Sequence, residues 1–104
     1  MSDYLCRASR CDKCGEPVER AQDITMVEAM AFDEPITTYA YMARHIRCSP
    51  SRAQYILVEP YGIPDARPQY DKRIHEKNGL AVEVAERERQ FTAGYRKLLE
   101  SLAP

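Results

Sequence analysis

The sequence predicts a small α+β domain: a cysteine-bearing knuckle, a β-hairpin and a helix, followed by one long amphipathic helix. Three observations lead there. Two short pairs of metal-ligating residue types, Cys11-x2-Cys14 and His45-x2-Cys48, lie 30 residues apart. The stretch between them is rich in β-branched, methionine and aromatic residues and is broken once by proline. Near the C-terminus, apolar residues recur at helical spacing. At 104 residues the chain, 1–104, is a single domain by length, and a core this small gains much from a bound metal.

Composition narrows the function classes. With 44% hydrophobic and 30% charged residues and a net charge of −1, the chain lacks the excess of positive charge that coats nucleic acid or anionic membrane. No apolar run approaches the roughly 20 residues of a membrane-spanning helix. The first ten residues, MSDYLCRASR, contain no apolar core segment, so no signal peptide is expected. A cytoplasmic location follows as the expectation, and there paired cysteines point to metal more than to disulfides.

The elements follow in order. Residues 6–59 form the predicted zinc-binding unit, opening on CRASRCDKCG, which holds three of the four cysteines. ITMVEAMAF, from Ile24 to Phe32, reads as a strand with Ile24, Met26, Met30 and Phe32 on one parity. Asp33-Glu34-Pro35 supplies the turn, and ITTYAYMAR, with its Thr and Tyr, the second strand. Ser49 and Pro50 suit an N-cap and first helical position, so a helix is expected from there to Glu59, before Pro60. Residues 60–70, PYGIPDARPQY, are a stiff Pro-rich connector. A short helical turn over Asp71–Lys77 breaks at Asn78-Gly79. The C-terminal helix, 80–103, carries Val84, Phe91, Tyr95, Leu98 and Leu102 on one face, interrupted by Glu88, with Glu83 and Arg87 as an i, i+4 pair.

Zinc takes four ligands in a tetrahedron, and a Cys-x2-Cys turn delivers two of them together. Gly15, directly after Cys14, tolerates the positive φ such a turn needs. His45-Ile46-Arg47-Cys48 repeats the separation, and the start of the following helix favours a thiolate at Cys48. In this order of parts, residues 11–58 resemble the treble-clef class of zinc fingers. The resemblance covers less than half the chain and implies a fold and a metal rather than an activity. A second resemblance competes. Cys-Arg-Ala-x-x-Cys-x-x-Cys, from Cys6, is similar to the cluster-binding loop of plant-type ferredoxins, which with Cys48 implies an iron–sulfur centre. In that family the loop follows a β-hairpin and a helix, whereas five residues precede Cys6 here, and His45 is left without a role. The leading assignment is one structural Zn2+ on Cys11, Cys14, His45 and Cys48, with Cys6 a spare thiol. A four-cysteine site and disulfides are the alternatives.

Arg7, Arg10 and Lys13 near the first pair, and Arg44, Arg47 and Arg52 near the second, converge if the site forms, and are candidate contacts for an anion or a partner. Tyr39 and Tyr41 share a strand face that either stacks bases or covers the core. His75 reads as a solvent-facing helical residue. The closed ligand set leaves no open coordination position for catalysis. Treble-clef nucleases of the HNH family add His and Asn residues for a second metal, which this stretch lacks, and no phosphate loop, nucleophile elbow or HExxH motif occurs. The expected function is a small non-enzymatic zinc-binding regulator or adaptor for a protein partner. The alternatives are a nucleic-acid-binding zinc finger and an iron–sulfur protein. The C-terminal helix face packs in cis, pairs with a second copy in a homodimer, or receives the partner.

Overall fold

The computed structural model describes residues 10–33 and 43–103, which are mostly helical. Helix α1 (Ile24–Phe32) starts at Asp23, whose carboxylate accepts the Thr25 N–H at 2.9 Å. It stops at Asp33, in the left-handed region at φ 53°, whose N–H returns to the Ala29 carbonyl. Ile24, Thr25, Met26, Val27 and Ala29 are all buried.

This helix corrects the α+β expectation. Among the described residues there is no sheet, and no hairpin or knuckle, only the isolated bridges Arg10–Pro17 and Asp23–His45. Residues 24–32, expected as the first strand, are helical. The second expected strand falls mainly on 34–42, outside the described residues, as do Tyr39 and Tyr41. The physical reason lies in the run itself: Met26, Glu28, Ala29, Met30 and Ala31 favour helix, and Asp23 caps it. The helix is buried on several sides, so its sequence shows no polar stripe at the helical period, and alternate apolar positions occur by default.

A 3₁₀ turn (Ile46–Cys48) leads into α2 (Pro50–Ala53), with Pro50 in the first turn as expected. The helix expected to reach Glu59 ends at Ala53. The Ala53 carbonyl is taken by the N–H groups of Ile56, at 3.0 Å, and Gly62, at 3.3 Å, and the chain turns through the core with Gln54, Tyr55 and Ile56 buried. Residues 60–70 form no regular element. Helix α3 (Lys72–His75), capped by the Asp71 carboxylate on the Arg73 N–H, continues into a π-helical turn (Glu76–Leu80) with a break at Asn78 and Gly79. The short turn expected there, and its interruption, are both present.

Helix α4 (Ala81–Leu102) packs chiefly on α1. Its buried residues are Val84, Phe91, Gly94 and Leu98; Tyr95 is half-buried against Tyr61, and Leu102 lies exposed at the end of the stripe. At the gap in the stripe, Glu88 accepts from Lys72 Nζ at 2.7 Å. Arg87, expected beside Glu83, lies over the Tyr55 ring instead. The Phe91 ring meets Phe32 and Tyr55, each with centroids 5.9 Å away. Ile24, Val27, Ile46, Ile56, Phe91 and Leu98 thus belong to one core, joining the cysteine-bearing segments to α4.

Candidate metal centre

The first ligand pair sits on a tight turn. The Gly15 N–H returns to the Cys11 carbonyl and the Cys11 N–H to the Glu16 carbonyl, both at 2.9 Å. Gly15 has φ +79°, a conformation that side chains with a Cβ resist, so the glycine after Cys14 has the role its position suggests. The second pair is brought alongside by the backbone. Asp12 N–H donates to the Ala43 carbonyl at 3.0 Å and Ile24 N–H to the Arg44 carbonyl at 2.9 Å. The 3₁₀ turn then folds Cys48 back, its N–H on the His45 carbonyl.

One ligand atom from each of Cys11, Cys14, His45 and Cys48 lies within 4.8 Å of the others, so the four can hold a metal ion. The His45 Nδ1 is 3.4 Å from the Cys14 sulfur and 3.8 Å from that of Cys48. Around a tetrahedral zinc, bond lengths of about 2.0–2.3 Å put ligand atoms roughly 3.5–3.8 Å apart. The donor set and its spacing therefore fit zinc. His45 is buried, and its Nε2 lies 2.8 Å from the Pro17 carbonyl. An Nε2–H donating there fixes the tautomer and leaves the Nδ1 lone pair facing the sulfurs. The Lys13 N–H points at the Cys11 sulfur at 3.4 Å. Cys11 is buried, Cys48 half-buried and Cys14 exposed.

The thiols differ before any metal arrives. Burial opposes charge on Cys11, but hydrogen bonding from the His45, Cys14 and Lys13 backbone and the His45 ring outweighs it and lowers the thiol to about 6. Burial pushes the Cys48 thiol up, to about 11, helped by hydrogen bonds and charge from Cys14 and Cys11. A bound divalent cation stabilises all three thiolates.

The basic residues are largely engaged. Arg44 forms a bidentate pair with Asp12 at 2.6 and 2.8 Å, and its hydrogen bonds hold the Asp12 carboxyl below the usual range. Arg52 pairs with Glu28 at 3.0 Å and also donates to Ser49. Arg10 reaches the Gly15 carbonyl. Lys13 and Arg47 are exposed and form no ion pair among the described residues. Arg7 and Cys6 lie outside the described residues. His75, expected in solvent, is half-buried beside Tyr55, Tyr70 and Arg87. Spacing carried no signal for the Pro17 carbonyl, because any residue type supplies a carbonyl. No protein-family model, curated protein or solved structure matches the chain. No described helix is long and apolar enough to cross a membrane.

Proposed function

We propose that the chain is a non-enzymatic, zinc-stabilised interaction module that acts as a regulator or adaptor for a protein partner. The observation that carries this reading is the closed ligand set: three sulfurs and one imidazole nitrogen mutually within 4.8 Å, enough to fill a tetrahedron. Catalytic zinc keeps a position for water or substrate, whereas structural zinc is closed. Ion pairing of Arg44 and Arg52 weakens the nucleic-acid alternative, because those guanidinium groups already face carboxylates.

Cobalt(II) substitution tests the centre. A closed tetrahedral thiolate site gives strong visible absorption that added azide leaves unchanged; an azide-dependent shift would reveal an open, catalytic position. A salt titration with a mixed-sequence oligonucleotide tests the partner class. Weak binding throughout agrees with a protein partner, and tight binding with a steep salt slope contradicts it.

A further inference from the structure

Beside the metal centre lies a cavity of about 460 Å³ lined by Lys13, Arg44, Arg47 and Arg67, together with Ser51 and Tyr70. Cys48 also lines it, and none of its described lining residues is an aspartate or a glutamate. Arg44 and Arg67 are paired with Asp12 and Asp65, neither of which is among the described residues that line the cavity. Lys13 and Arg47 have no ion pair among the described residues. The Arg67 guanidinium is further steadied over the Tyr70 ring, 4.6 Å from its centroid. Zinc with three thiolates and a neutral imidazole keeps one net negative charge, fewer than the two cations, Lys13 and Arg47, that remain once Arg44 and Arg67 are set against Asp12 and Asp65.

We propose that this cavity binds a phosphorylated side chain of the protein partner. The inference rests on the interaction-module reading and adds the partner's chemistry. A phosphoryl group carries close to two negative charges and three strong acceptor oxygens, which suits the unpaired Lys13 and Arg47, brought together from two segments of chain, better than a single carboxylate does. Ser51 adds a hydroxyl at the same wall. A protein partner is favoured over nucleic acid because the chain as a whole has a net charge of −1, so the positive charge is local to one cavity.

The test uses the isotopically labelled 104-residue chain, whose zinc content is measured first. It is titrated with a Gly-phosphoserine-Gly peptide, its unphosphorylated counterpart and a mixed-sequence single-stranded RNA. The phosphopeptide is expected to give saturable resonance shifts centred on residues 47–51 and 67–70, and the plain peptide none. K13E/R47E should weaken the phosphopeptide about tenfold or more while keeping the zinc, and K13R/R47K should retain binding. Absence of saturable shifts in zinc-loaded protein overturns the proposal and leaves the module reading standing. Loss of zinc from K13E/R47E also overturns it, since the cations would then serve the metal. RNA binding tighter than the phosphopeptide, with a steep salt slope, assigns the cavity to nucleic acid instead. A chain that holds no zinc at all refutes the module reading and this proposal with it.

Discussion

Gln54 has no exposed surface, and its amide is saturated: Oε1 accepts from the Asp65 and Lys72 N–H groups, and Nε2 donates to the Ser51 and Tyr70 carbonyls. One side chain thereby satisfies the backbone of the irregular 60–70 segment where it passes the core. Gln54→Leu removes four hydrogen bonds at once and strands buried donors and acceptors. We expect a loss of about 3 kcal/mol or more, read as a lower urea midpoint of the zinc-loaded protein. At the metal centre, each ligand must be deprotonated to bind. In the metal-free site Cys48, at about 11, keeps its proton at neutral pH, whereas Cys11, at about 6, has mostly lost its own. Binding must therefore displace the Cys48 proton, and below about pH 6 the Cys11 proton as well. Zinc affinity should fall as pH falls, with a steeper slope below that point, in a chelator competition series. An affinity independent of pH would show that the thiols are not the ligands. At this scale the cluster of Cys11, Cys14, His45 and Cys48 was legible in the sequence because spacing alone pairs them. Gln54 was not, because its partners are backbone groups up to 18 residues away.

Helix α4 could be read from its period, since one face is apolar and the other faces water. Helix α1 could not, because burial on several sides erased the contrast that a period needs. The two meet closely at Gly94. A Cβ built there would lie 2.6 Å from the Val27 carbonyl oxygen and 2.9 Å from the Ala31 Cα, both backbone atoms that cannot swing aside. Gly94→Ala should therefore push the helices apart despite alanine's better helix propensity, costing about 1–3 kcal/mol. A thermal melt reads this directly, and a melting temperature raised by the substitution would contradict the packing. The end of α2 was misread for a related reason. Nothing local to residues 54–58 breaks a helix; the break comes from the Gly62 N–H and from the groups that Gln54 holds.

On the scale of the whole chain, the treble-clef expectation failed in its architecture, while its ligand spacing picked out four residues that the structure brings within 4.8 Å of one another. Short ligand pairs can be brought together by many backbones, so spacing constrains the site more tightly than the fold. Here α1 occupies the stretch where a strand was expected, and the core runs unbroken from Ile24 and Ile46 to Phe91 and Leu98. Metal loss should consequently not stay local. Chelation is expected to reduce the helical circular dichroism of α4 together with the structure of the ligand segments, because both share that core. A helical signal unchanged after complete zinc removal would show the centre to be uncoupled from it. Structural zinc contributes on the order of 10 kcal/mol to apparent folding free energy, comparable to the whole stability of a small domain. The central claim is tested most directly by metal analysis of the purified protein and its Cys48→Ser and Cys6→Ser variants. The account predicts one zinc per chain and a colourless protein, with the metal lost in Cys48→Ser and kept in Cys6→Ser. A brown protein carrying iron and labile sulfide, lost in Cys6→Ser, would contradict it.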